Sequence, residues 1–194
     1  MNITTTSVAS HSLRRVLIVH GFAAAPDAHW FPWLCDSLDT AGIDATVVTM
    51  PSPDAPKAAA WQDAVGEAIG VPDAGTWIVA HSLGGITVLR ALAALTDPWQ
   101  LGGLVLVSGF TGALKSLPVL DEYLSTDVDA ERIANNIRVR AVVRSDADVF
   151  VPTEASNELA QRLNAELHIQ PGAGHFLTED GVSDLPLVLD LLQQ

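Results

Sequence analysis

Cysteine is almost absent: Cys35 stands alone in 194 residues. No disulfide can form within the chain, and such a composition suits a reducing cytoplasm, the expected compartment. Cys35 itself reads as a small buried hydrophobe. Positive charge is scarce as well. Lys and Arg number 10 against 23 Asp and Glu, for a formal net charge of −13, and a chain so acidic repels phosphate backbones and anionic lipid surfaces. Neither nucleic acid nor membrane is expected as a partner, which leaves small neutral or cationic molecules. No apolar run approaches the ~20 residues needed to cross a bilayer. Residues 1–12 are rich in Thr and Ser and lack the apolar core of a secretion signal, so they read as a mobile tail ahead of one domain, 13–194. Repeats, linkers and low-complexity blocks are missing. No two histidines have the spacing of a zinc pair, and no glycine fingerprint with its lysine or acid follows a strand, so neither a metal nor a nucleotide cofactor is expected.

What is present is apolar substance. Hydrophobic residues make up 48% of the chain and charged ones 17%. A chain of this length buries about 70% of its unfolded surface, enough for a core without staples. Six short runs rich in Val, Ile and Leu recur along it: Arg15–His20, Ala45–Thr49, Thr76–Ala80, Gly103–Val107, Val139–Val143 and Glu166–Ile169. Their near-continuous hydrophobicity predicts strands covered on both faces. Amphipathic segments fill the gaps and predict helices over Trp30–Ala41, Lys57–Ile69, Leu83–Leu95, Asp129–Asn135, Thr153–Leu163 and Ser183–Leu192. Gly42, Gly70 and Gly75 punctuate helix ends, and Pro51, Pro53 and Pro56 mark an extended loop. This alternation predicts an α/β fold with a parallel sheet between two helical layers.

Chemistry is suggested where the third strand meets the third helix, at Ala80-His81-Ser82-Leu83-Gly84-Gly85. A serine on a sharp strand-to-helix turn needs small neighbours two positions away, because the turn presses them against the strand and the helix. Its hydroxyl then points off the sheet's carboxyl edge beside a helix N-terminus, where free amides favour negative charge. Ala80 stands where glycine is usual, and a serine capping a helix is the plain alternative. A serine hydroxyl also needs a base and a group to orient that base. His175 follows the last strand in Gly172-Ala173-Gly174-His175-Phe176, and Asp146 and Asp148 follow the fifth. Either aspartate could serve as the acid, and the other is then a turn residue. Serine, acid, histidine is the chain order of α/β-hydrolases. For the oxyanion, the backbone amides of Phe22 and Leu83 are expected to form the hole, with His20 pinning the first loop.

Taken together, His20-Gly21, His29-Trp30-Phe31-Pro32-Trp33-Leu34, the Ser82 elbow, Ser145-Asp146-Ala147-Asp148 with Val151-Pro152, and Gly174-His175-Phe176 make the sequence similar to the RBBP9/YdeN family of small serine hydrolases, a compact branch of the α/β-hydrolases. The resemblance runs from about Arg15 to Leu192. It implies strand order 2-1-3-4-5-6, Ser82 as nucleophile, His175 as base, and Asp148 rather than Asp146 as acid. It also implies hydrolysis of small carboxylic esters through an acyl-enzyme. A thioesterase or aminoacyl-ester hydrolase would use the same triad, and a binding or scaffold protein could keep the fold without catalysis. Only 31 residues, Ser108 to Arg138, occupy the position where many such enzymes insert a lid. No large cap is therefore expected, and Phe22, Trp30, Phe110, Leu114 and Phe176 are the expected apolar walls of an open pocket.

Overall fold

The computed structural model describes residues 13–194; the expected mobile tail, 1–12, lies outside them. Six parallel strands form one sheet in the order β2-β1-β3-β4-β5-β6. They are β1 Arg15–Val19, β2 Asp44–Val48, β3 Thr76–His81, β4 Leu101–Val107, β5 Ile137–Ser145 and β6 Glu166–Gln170. Parallel neighbours need crossovers, and six helices supply or follow them: α1 Phe31–Thr40, α2 Ala58–Ile69, α3 Leu83–Ala94, α4 Ala130–Ala134, α5 Thr153–Leu163 and α6 Pro186–Leu192.

The two-residue side-chain period of a strand explains why the inner strands are apolar throughout. Leu17, Val19, Ile78, Ala80, Leu104 and Leu106 point into one core beneath α2, α3, α4 and α5. Their neighbours Val16, Ile18, Trp77, Val79, Val105 and Val107 enter a second core beneath α1 and α6. Every residue from Leu83 to Leu92 in α3 is buried, as expected of a helix apolar on all sides. No helix among the described residues is long and apolar enough to cross a membrane.

The expectation of cover on both faces fails at the edges. On β6, Leu167 and Ile169 are 37% and 49% exposed, and β2 exposes Asp44 and Thr46. Both lie beyond the reach of a full helical layer. β5 extends past its predicted run, Val139–Val143, by two residues at each end, with Ile137 paired to Leu101 in the ladder. α6 begins three residues later than its pattern suggests, at Pro186, whose fixed φ suits a first helical turn. Between β4 and β5 the only helical elements are a single turn at Pro118–Leu120 and the five-residue α4, so no cap domain is inserted at that connection.

Candidate active site

Ser82 sits between β3 and α3 with φ 53° and ψ −122°, a left-handed backbone that L-residues rarely adopt. Packing holds it there. The Ser82 amide donates to the Val107 carbonyl at 2.9 Å, continuing the β3–β4 ladder past the strand end. A Cβ at Gly84 would lie 2.5 Å from the Val19 carbonyl oxygen, so only glycine lets α3 descend onto β1. A Cβ at Gly21 would meet Ser82 Cβ at 2.9 Å, so the first loop also closes directly on the serine. Ala80, in place of the usual glycine, is fully buried and pairs in register with Val19 and Leu106, so its methyl leaves the ladder intact.

His175 and Asp148 reach the same point from the loops after β6 and β5. His175 Nε2 lies 3.0 Å from Ser82 Oγ, and its Nδ1 lies 2.8 Å from Asp148 Oδ2. An ionised carboxylate only accepts, so Nδ1–H must be the donor, leaving Nε2 to accept the serine proton. Asp148 Oδ1 accepts the amides of Phe150 and Val151, each at 2.9 Å, and Oδ2 also accepts the Ser108 hydroxyl at 2.8 Å. Burial opposes its ionisation, but the His175 hydrogen bond and charge, the Val151 amide and the Ser108 hydroxyl outweigh it and hold the carboxyl below its usual range. Asp146 does something else: its Oδ1 accepts the Gly172 amide at 2.8 Å and ties the two loops together.

Histidines of less obvious purpose brace this arrangement. His20 Nδ1–H donates to the Gly21 carbonyl at 2.9 Å, as a residue pinning the first loop would. His81 Nε2–H donates to the His175 carbonyl at 2.8 Å. Burial, reinforced by the nearby His175, keeps the His81 ring neutral well below the ordinary histidine range. His29 accepts the Thr178 amide on Nδ1 at 3.1 Å. Asp180, which the sequence reading missed, accepts the amides of His175 at 2.7 Å and Leu177 at 3.1 Å. Its carboxylate fills the space a side chain at Gly174 would need. The available signal was an acid five residues beyond the loop histidine, a weak one in so acidic a chain.

The Leu83 amide opens α3, where first-turn amides lack helical partners, and the Phe22 amide follows Gly21. Among the described residues neither amide donates to another protein atom. A cavity of about 300 Å³ opens over Ser82 and His175, walled by Phe22, Leu117, Phe150 and Leu177, with His29 and Glu179 as polar members. Of the five expected wall residues only Phe22 lines it. Trp30 and Phe176 are fully buried in the core beneath α1 and α6, and Phe110 and Leu114 are buried in the opposite core. Large aromatic and aliphatic side chains near the carboxyl edge gain more by filling these layers than by facing water. The walls come instead from Leu117 on the β4–β5 connection, Phe150 beside the acid, and Leu177 beside the histidine. Among the described residues no His, Cys, Asp or Glu cluster gathers as a metal site would require.

Residues 16–194 match the serine hydrolase family model. YdeN of Bacillus subtilis (strain 168) is 39% identical over 179 residues, covering 92% of this chain and 94% of that protein. Serine hydrolase RBBP9 of Rattus norvegicus is 28% identical over 149 residues, covering 76% of this chain and 77% of that one. The crystal structure of the B. subtilis ydeN gene product superposes with a TM-score of 0.89 at 38% identity, covering 93% of this chain and 97% of that one. Est1E from Butyrivibrio proteoclasticus shares the fold at a TM-score of 0.66 and 18% identity, covering 96% and 92%.

Proposed function

Because the chain belongs to the serine hydrolase family, we propose that it hydrolyses small carboxylic esters through an acyl-enzyme on Ser82. The observation carrying this reading is the unbroken relay from Ser82 Oγ through both ring nitrogens of His175 to Asp148, with contacts of 3.0 and 2.8 Å. Ser82 Oγ attacks the ester carbonyl as His175 Nε2 takes its proton, and Asp148 stabilises the imidazolium. The carbonyl oxygen gains negative charge beside the Phe22 and Leu83 amides, neither of which donates to a protein atom among the described residues, and accepts from them. The tetrahedral intermediate then expels the alcohol, which takes the proton from His175. Water attacks the acyl-enzyme by the same route in reverse roles and releases the acid.

Size and polarity of the cavity support small substrates. About 300 Å³ lies at the low end of ligand pockets, and among the described residues no lid adds to it. No Lys or Arg is among the cavity residues, while Glu179 is, which disfavours an anionic acyl chain. A series of p-nitrophenyl esters from acetate to dodecanoate tests this directly. kcat/KM is expected to peak at two to six carbons, roughly what such a volume accepts, and to fall beyond it. A rising profile up to dodecanoate would contradict a small uncapped pocket, and thioesters or anilides of the best acyl group outrunning its oxygen ester would reassign the leaving-group class.

A further inference from the structure

We propose that Ser108, immediately after β4, is a positioning residue for this reaction, holding Asp148 Oδ2 in place to meet His175 Nδ1. This inference rests on the reading of Ser82, His175 and Asp148 as the triad. The Ser108 side chain is fully buried, and its hydroxyl donates to Asp148 Oδ2 at 2.8 Å, the same oxygen that receives His175 Nδ1–H. The two amides on Oδ1 come from the acid's own loop and move with it. Ser108 comes from the exit of a different strand, so among the acid's three partners besides His175 in the described residues it alone references the carboxylate to the sheet.

That reference point is shared with the nucleophile. The preceding residue, Val107, accepts the Ser82 amide at 2.9 Å, so the two-residue exit of β4 grips the serine turn through one residue and the acid through the next. The exit is itself fastened on both sides: the Ser108 amide donates to the Val143 carbonyl at 2.9 Å, and the Gly109 carbonyl accepts the Ser156 hydroxyl of α5 at 2.8 Å. Ser108 also has φ 47°, repeating at β4 the left-handed exit that Ser82 makes at β3. Glycine would adopt this backbone without strain. A serine kept there costs stability, and strain at a buried polar position beside a reacting group is where a functional constraint is expected. The carboxylate's low proton affinity, set against burial chiefly by His175 and then by Val151 and Ser108, agrees with this geometry.

The test uses Ser108→Gly, which removes the hydroxyl while relieving the backbone, with Ser108→Ala as its strained counterpart. Both are expected to lose roughly 10- to 100-fold in kcat with KM little changed, the scale of losing a hydrogen bond to a charged group. Ser108→Gly, with its backbone relieved, should unfold in urea at a higher midpoint than Ser108→Ala. An Oδ2 relieved of one donor holds the imidazolium proton more firmly, so the acid limb of the kcat/KM profile should move to higher pH by roughly 0.5 unit. Wild-type kcat in Ser108→Gly, or a loss tracking a lowered urea midpoint with the acid limb unmoved, would overturn the proposal. Labelling by a fluorophosphonate, with the modified peptide identified by mass, separates the two levels of the argument. Unlabelled Ser82 in the wild type overturns the triad reading and this inference with it. Labelling of Ser82 at equal rates in wild type and Ser108→Gly overturns the inference alone.

Discussion

Ser82→Ala is expected to lower kcat for p-nitrophenyl acetate by about 10⁶-fold, with the urea midpoint unchanged. The hydroxyl donates to His175, and the alanine methyl keeps the same Cβ against Gly21. In the proposed mechanism nucleophile and base act as one unit, so His175→Ala alone should cost nearly as much, and the double variant should be no worse than either. Residual turnover would come from the Phe22 and Leu83 amides and from substrate binding. A Ser82→Ala protein retaining even one-hundredth of wild-type kcat would place the chemistry elsewhere.

Asp148→Asn should cost about 10⁴-fold in kcat by reversing a tautomer rather than moving an atom. The Phe150 and Val151 amides both donate to Oδ1, so the asparagine carbonyl oxygen must take that position. Its NH₂ then occupies the Oδ2 position and donates to His175 Nδ1, which forces the ring proton onto Nε2. Nε2 can no longer accept from Ser82. The same substitution changes stability against pH. Asp148 has its proton affinity lowered in the fold, so its contribution is present above the unfolded carboxyl value of about 4 and is lost as pH falls through the lower folded value. Below about pH 4 the wild-type urea midpoint should fall more steeply than that of Asp148→Asn. Parallel acid limbs in the two proteins would remove the carboxylate from the account.

The scaffold was legible because strands such as Thr76–His81 and Leu101–Val107 are sealed by apolar layers on both faces and advertise it residue by residue. At β6 the same kind of run concealed an exposed edge, since lateral position in a sheet leaves little trace in five residues. Ser82, Asp148 and His175 were legible as candidates because each follows a strand. The choice between Asp146 and Asp148 was not local: both leave β5, and only the loop's curl onto the Phe150 and Val151 amides turns one carboxylate inward while the other reaches Gly172. The pocket was least legible. Trp30 and Phe176 adjoin lining residues in sequence, yet His29 and Leu177 face the cavity while these two fill the core. Which of two neighbours turns inward depends on a backbone reversal such as φ 60° at Phe176, which composition and spacing do not encode. Ser108 and Asp180 went unread because a serine or aspartate in a loop is ordinary until its partner is known.

Acid-quench mass spectrometry during turnover of p-nitrophenyl acetate tests the central claim most directly. A mass gain of one acetyl group on the peptide carrying Ser82, accumulating in wild type and absent from Ser82→Ala, is the predicted result. Turnover with no acyl adduct on that peptide, or an adduct on another residue that persists in Ser82→Ala, would contradict covalent catalysis at the β3–α3 turn.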